Sequence, residues 1–303
     1  MPHDHHHHHH HHAEVEGDRR VAMAVGVNIL LTLVQIIAGV FSGSLALIAD
    51  AVHNLSDAMS LVIAFFARRI ARRPADASMT FGYGRAEVVA ALINYVTLVV
   101  LAVWLAAEGV QRLFNPVEVE GWTVVVVAAI ALLIDTVTAL LVFRPSKDSM
   151  NIRAAFLHNV MDALGSVAVI VAGTLILLYD WRLVDPLVTL AIAGYILWHV
   201  AQEIGPVVRV LMMGSPDSPA LEEVMAMLEA VEGVDSLHHV HLWRMQEHEL
   251  GMEAHVVMAG SVAPEALRAA LKARLADGFG IKHTMLELET QGAACRDAAR
   301  IGH

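Results

Sequence analysis

Ala49-Asp50-Ala51-Val52-His53-Asn54-Leu55-Ser56-Asp57 and Phe156-Leu157-His158-Asn159-Val160-Met161-Asp162 are the two stretches on which the reading of this chain turns. Each places an Asp four residues after a His, with an Asn directly behind the His. Positions i and i+4 share one face of a helix. Each stretch therefore offers one imidazole and one carboxylate side by side. Both sit inside long apolar segments, where an Asp at the helix centre costs roughly 2.5–3.5 kcal/mol on insertion scales. A single pair of this kind is accounted for by a cap or a hydrogen bond across a bundle. Two pairs at the same offset need a compensating cation or proton.

Two facing pairs supply two nitrogens and two oxygens. That set fits tetrahedral Zn²⁺, which accepts imidazole and carboxylate alike. It suits octahedral, oxygen-seeking Mg²⁺ poorly, and the two imidazoles argue against Mn²⁺. Co²⁺, Fe²⁺ and Cd²⁺ remain compatible with it. His53, Asp57, His158 and Asp162 are thus the candidate ligands within the membrane. Asp50 lies one turn before His53 on roughly the same face and is an auxiliary candidate, as ligand, proton carrier or supporting group. Asp135 is a further costly carboxylate. For Asn28 and Gln35 plain packing is preferred over hydrogen bonding across the bundle.

The segments around these stretches belong to a membrane protein. Hydrophobic residues make up 56% of the 303, only 17% are charged, and the mean hydropathy is +0.56; soluble domains carry about 25% charge. Six segments meet the ~20 mainly apolar residues that a bilayer crossing needs: Val21–Phe41, Ser44–Ala67, Glu87–Gly109, Trp122–Phe143, Ile152–Tyr179 and Val184–Val210. Gly43, Pro74, Pro116, Pro145 and Pro186 mark the breaks. Arg19, Arg20, Arg68, Arg69, Arg72, Arg73, Arg85, Arg144, Lys147, Arg153 and Arg209 fall on one side of this topology, and only Arg112 and Arg182 on the other. The positive-inside rule then predicts that both termini are cytoplasmic.

After about residue 213 the character changes to that of a soluble domain. Pro219–Val231 has helical apolar spacing, Val234–Met245 and Gly251–Ala259 read as strands, Pro264–Leu275 as a second helix, and Ile281–Thr290 as an alternating strand. The order α-β-β-α-β predicts an α+β layer. The expected organisation is a His-rich tail over 1–17, a six-helix membrane domain over 18–213, a cytoplasmic domain over 214–290 and a C-terminal tail over 291–303.

Several classes fall away. The net charge is −11 with His neutral, and no basic surface invites nucleic acid. Cys295 is the single cysteine, which rules out an intramolecular disulfide framework and a thiolate cluster. The N-terminus lacks the features of a signal peptide. His3 and His5–His12 read either as an expression tag or as a native metal-collecting tract. An intramembrane zinc hydrolase would need an open coordination position and a general base, and no His-Glu-x-x-His occurs; the expectation is not an enzyme. A metal sensor without transport would explain cytoplasmic histidines but not the paired motifs.

The chain resembles the cation diffusion facilitator family, zinc-transporter type, over nearly its whole length after the His tract. The resemblance is carried by Ser44-Leu45-Ala46-Leu47-Ile48-Ala49-Asp50, the two His-x-x-x-Asp motifs and Phe81-Gly82-Tyr83-Gly84-Arg85-Ala86-Glu87. His238-His239-Val240-His241-Leu242-Trp243 and the strand Ile281–Glu289 add to it. It implies a homodimer in a bacterial-type inner membrane, six membrane helices per subunit and a ferredoxin-like cytoplasmic domain. It also implies Zn²⁺ export in exchange for protons, with Zn²⁺ as cargo and as a regulatory ion. By position, His53, Asp57, His158 and Asp162 match the family's transport site. His238, His255, His283 and Glu289 look like its cytoplasmic ligands, with His241 as an auxiliary. Another metal site that some members carry between the second and third spans should be missing, since only Asp76 remains there as a hard ligand. Arg144–Met150 is too short for the His-rich loop of other relatives.

Overall fold

The computed structural model describes residues 11–143, 150–246, 249–260, 262–295 and 299–302, and within them the side chains of 26–60, 62–140, 143, 156–157 and from 159 onward. Most of the His tract, the loop over 144–149, His248 and the His158 side chain lie outside the described residues.

Six helices come first: α1 (His11–Ser42), α2 (Leu45–Ala71), α3 (Ala86–Phe114), α4 (Gly121–Phe143), α5 (Met150–Tyr179) and α6 (Val184–Leu211). Among the described residues five of them are long and apolar enough to cross a membrane, and the apolar described part of α1, Gly26–Ser42, is shorter. Leu30, Phe41, Leu133, Leu140, Leu178 and Trp198 are each more than half exposed, the surface that lipid covers in a multi-pass membrane protein. Where α4 meets α5, small residues set the distance. A Cβ on Gly121 would lie 2.7 Å from the Gly173 carbonyl oxygen, and one on Gly173 would lie 2.9 Å from Val125. Close approach at small residues is how helices gain packing in lipid, where no hydrophobic drive separates them from the acyl chains.

The remaining elements are α7 (Leu221–Glu229), β1 (Val234–Arg244), β2 (Leu250–Met258), α8 (Pro264–Phe279) and β3 (His283–Thr290). The predicted order α-β-β-α-β is present, and β3 starts two residues later than its alternation had indicated. The sheet order is β1-β2-β3, with β1 antiparallel and β3 parallel to β2. A parallel neighbour requires a crossover, which α8 supplies. Pro264 opens α8 in its first turn, and Gly280 ends it in the left-handed region. The core joins Val224, Met225 and Leu228 of α7 with Leu267, Leu271 and Leu275 of α8 and with Leu237, Met252 and Val256 of the sheet. Ile281, read from the sequence as strand, fills this core fully buried just before β3.

Leu271→Ala should cost about 2–5 kcal/mol, because the buried site loses contacts and keeps part of the void. Hydrogen exchange in the full chain reads this as lost protection in β2 and β3. Unchanged protection would place Leu271 outside the core that carries the domain's stability.

Close contacts divide the chain into two compact units, Met1–Ile63 with Ile93–Gln202, and Ala64–Leu92 with Glu203–His303. The first holds the intramembrane histidine and carboxylates. The second holds the small sheet.

Candidate metal centres

Helix α2 carries the first pair, and its start is held from a distance in sequence. Ser44 Oγ accepts from the Leu47 N–H at 3.1 Å, the usual serine cap. The Asp185 carboxylate, in the first turn of α6, accepts from Ser44 Oγ at 2.5 Å, the Leu45 N–H at 2.9 Å and the Ala46 N–H at 3.2 Å. Two turns farther along α2, His53 and Asp57 share a face, with Nε2 and Oδ2 3.9 Å apart. From α5, Asp162 Oδ1 comes within 3.4 Å of the same His53 Nε2. Donor atoms of His53, Asp57 and Asp162 all lie within 4.8 Å of one another. His158 stands on α5 one turn before Asp162; its side chain lies outside the described residues.

Polar residues surround this trio. Asp50 is buried, and Gln35 Nε2 donates to its Oδ2 at 2.8 Å. Gln35 is therefore a hydrogen-bonding residue and not plain packing, a correction forced by the lack of water at a fully buried carboxylate. Gly165 lets the Asp50 carboxylate approach α5, since a Cβ there would lie 3.1 Å from Oδ1. Asp135 accepts from Ser166 Oγ at 3.3 Å. Tyr195 of α6 stacks edge-on against His53, with ring centroids 5.9 Å apart. Nothing in the sequence pattern singled out Tyr195, because a lone Tyr in an apolar helix carries no spacing signal.

In the loop between α2 and α3, Asp76 is used structurally. Its oxygens accept from Ser78 N–H and Oγ, the Met79 N–H and Tyr83 Oη at 2.6–2.9 Å. The Ser78 and Tyr83 hydroxyls, followed by the two backbone groups, hold its carboxyl well below the usual carboxylate range.

A second donor cluster lies on the small sheet. His238 of β1 pairs with His255 of β2, and β3 brings Glu287 and Glu289 alongside. His255 Nδ1 lies 2.7 Å from Glu289 Oε1, and its Nε2 lies 3.5 Å from Glu287 Oε2. His238 Nε2 lies 3.2 Å from Glu289 Oε2. Burial pushes the Glu289 carboxyl up, but the His255 hydrogen bond, the Cys295 N–H and the facing imidazoles outweigh it and hold the group below its usual range.

Three of the four expected cytoplasmic residues, His238, His255 and Glu289, come together. His283 does not. It pairs with Gly251, and its ring faces Phe81 and Trp243 at 6.0 and 6.4 Å. Six residues of strand at about 3.3 Å each separate it from Glu289, so sharing a strand face does not bring the two together. Glu287 stands beside His255 instead. His241 pairs with Glu253 and is outside the converging donor groups. His239 and Cys295 join the cluster without having been singled out as ligands. Partial loss of water, with the neighbouring Glu289 carboxylate, pushes the Cys295 thiol up.

Comparison with known proteins follows the same division. A model of the cation efflux transmembrane domain matches residues 21–212, and one of the cation efflux protein cytoplasmic domain matches residues 216–291. The metal cation efflux system protein CzcD of Cupriavidus metallidurans is 34% identical over 284 residues, covering 93% of this chain and 90% of its own. The zinc transporter ZitB of Escherichia coli K12 is 33% identical over 293 residues, covering 96% and 93%. A cadmium, cobalt and zinc/H(+)-K(+) antiporter of Bacillus velezensis is 31% identical over 266 residues, covering 85% and 84%.

Proposed function

This chain belongs to the cation efflux family, and on that premise we propose that it exports Zn²⁺ from the cytoplasm in exchange for protons by alternating access. It is a membrane transporter for divalent metal cations and not an enzyme. The observation that carries the reading is the meeting of α2 and α5, where His53 Nε2 lies 3.4 Å from Asp162 Oδ1 and 3.9 Å from Asp57 Oδ2. His158 completes the set as a second nitrogen donor. Two nitrogens and two oxygens suit a tetrahedral ion that crosses as cargo.

Ligation requires neutral imidazole and ionised carboxylate. Zinc entering from the cytoplasm therefore displaces protons from the site, and protons entering from the other side release zinc. His53 and His158 carry the exchange, since imidazole changes charge near neutral pH. Asp57 and Asp162 supply the negative charge that the cation needs in a medium of low dielectric. The relatives named for zinc, and for cadmium, cobalt and zinc with protons, support both the cargo and the counter-ion.

The wider architecture follows the same reading. Six crossing helices over residues 18–213 and a ferredoxin-like cytoplasmic domain over 214–290 form each subunit of a homodimer. It sits in a bacterial-type inner membrane with both termini cytoplasmic. The cytoplasmic domain holds regulatory zinc through His238, His255, Glu289 and the adjacent Glu287.

Reconstitution in vesicles with an internal pH-sensitive dye tests the function. Zn²⁺, Cd²⁺ and Co²⁺ added on the cytoplasmic face should each drive proton movement, with Zn²⁺ most effective, and Mn²⁺ should drive little. Metal uptake without proton movement would remove the antiport. No uptake of any of these ions would remove the transport reading.

A further inference from the structure

The cytoplasmic cluster contains two kinds of donor, and its softer half follows from a defect in β1. Successive strand residues point to opposite faces. His238 and His239 should therefore diverge. They do not, because β1 is bulged between His238 and His241: two residues, 239 and 240, stand opposite the single Ala254 of β2. His239 adopts a positive φ of 49°. Its ring lies 5.3 Å from that of His238 and 4.9 Å from that of His255, and the His238 and His255 rings are 5.1 Å apart. Three imidazoles converge where an ordinary strand would deliver two.

The C-terminal segment supplies a fourth donor. The His239 and Val240 N–H groups donate to the Ala299 and Arg300 carbonyls at 3.0 and 3.3 Å, and Ile301 bridges to Val240. This docking ties the chain end to β1. On the β3 side, the Cys295 N–H donates to Glu289 Oε2 at 3.3 Å. The Cys295 Sγ then lies 4.0 Å from His255 Nδ1 and 3.6 Å from Glu289 Oε1. Donor atoms of His238, His239, His255 and Cys295 lie within 4.8 Å of one another. His238 is 8% exposed, and its Nε2 lies 3.2 Å from Glu289 Oε2.

We propose that His238, His239, His255 and Cys295 form a thiolate-containing site for a thiophilic divalent ion, Zn²⁺ or Cd²⁺. The inference rests on the reading that the cytoplasmic domain binds metal, and it replaces the carboxylate ligands with His239 and Cys295. Three nitrogens and one thiolate make a closed tetrahedral set that favours zinc-like ions over hard ones. Bond lengths of about 2.0–2.1 Å to nitrogen and 2.3 Å to sulfur place tetrahedral donors roughly 3.3–3.8 Å apart. The cluster needs a contraction of about 1 Å to reach this, and Cys295 lies on an exposed loop beyond β3.

His255 makes the two halves of the cluster cooperate. Metal on its Nδ1 displaces the hydrogen bond to Glu289. Its Nε2–H is then left to donate to Glu287, the carboxylate–histidine–metal arrangement that orients a ligand ring. On binding, the Cys295 S–H bond breaks, its proton passes to water and a metal–sulfur bond forms. No electron changes hands.

The single cysteine makes the test direct. Full-length protein carrying Asp162→Ala, which removes a membrane ligand, is titrated with Co²⁺ and with Cd²⁺. Thiolate-to-metal charge-transfer absorption should appear with about one equivalent of ion. It should vanish in Asp162→Ala/Cys295→Ser, with Cd²⁺ bound at that site at least about 10-fold more weakly. His239→Ala should weaken both signals, and the N-terminal His tract gives no thiolate band. If no band appears while His255→Ala still removes one bound equivalent, the thiolate site is wrong and the imidazole–carboxylate reading stands. If His255→Ala removes no bound metal and no band appears, both fall. A band that survives Cys295→Ser overturns the assignment, because no other thiol exists to produce it.

Discussion

His53→Ala and Asp162→Ala should each reduce metal-driven proton movement in vesicles to background, a loss of more than about 100-fold. Changes to groups that merely support a ligand already cost about 10–100-fold in metal affinity, and these two residues are proposed as ligands. The expectation rests on where His53 stands. Its Nε2 is the atom that faces carboxylates from both helices, at 3.9 Å on α2 and 3.4 Å on α5. Removing the ring leaves Asp57 and Asp162 with like charges facing one another in a medium that screens poorly. The site then lacks the nitrogen donor of α2, and a tetrahedral ion loses one of its four ligands. Asp162→Ala acts from the other side, because it leaves α5 without its carboxylate donor. Size-exclusion elution and thermal midpoint near those of the parent protein would show that the fold survives. Ordinary zinc flux in either folded variant would sink the assignment of the transport site.

The parts of this centre that the sequence displayed are those that depend on spacing within one element. A four-residue offset on a helix means a shared face, so the His53–Asp57 pair is readable without any structure. The meeting of α2 with α5 was inferred from the cost of two such pairs in lipid, and the structure brings Asp162 to His53. Residues contributed singly by other elements carried no such pattern. Gln35, Tyr195 and Asp185 each act on α2 from a distance of 15 or more positions along the chain.

The sheet teaches the complementary lesson. Strand alternation placed His283 and Glu289 on one face, but a shared face says nothing of separation along the strand. The rise of the strand sets that separation, and parallel pairing with β2 puts Glu287 beside His255. Regular alternation points His239 away from His238. A bulge reverses that direction, and a bulge leaves no dependable trace in residue type unless glycine forms it. Cys295 stands at the cluster with its N–H bonded to Glu289 of β3, an arrangement that composition cannot announce.

Asp185→Ala should be the most destabilising single change in the membrane domain, although Asp185 is no candidate ligand. Its carboxylate is 1% exposed and does the work of a distant cap on α2, accepting from Ser44 Oγ and from two free amides of the first turn. A negative charge at a helix N-terminus is stabilised by the aligned peptide dipoles, most strongly when water is excluded. Arg112 stands on the other side of it, 4.0 Å from Oδ2, and also donates to the Gly43 carbonyl at 2.6 Å. Truncation would leave the Leu45 and Ala46 amides without an acceptor and the Arg112 guanidinium with Glu108, 3.0 Å away, as its remaining carboxylate partner. Each buried group left unsatisfied costs about 1–3 kcal/mol, so losing the shared acceptor should cost about 3–5 kcal/mol in all. For a domain of this size 1 kcal/mol moves the thermal midpoint by about 2–4 °C, so a fall of roughly 6–20 °C is expected in detergent. Asp185→Asn keeps one acceptor oxygen and should lose less, about 1–3 kcal/mol. Arg112→Ala should cost less in the Asp185→Ala background than alone, since one of its two carboxylate partners is already gone. Metal transport should fall along with stability, because α2 carries His53 and Asp57 two turns beyond the cap. A midpoint unchanged by Asp185→Ala would mean that the start of α2 is held by Ser44 alone.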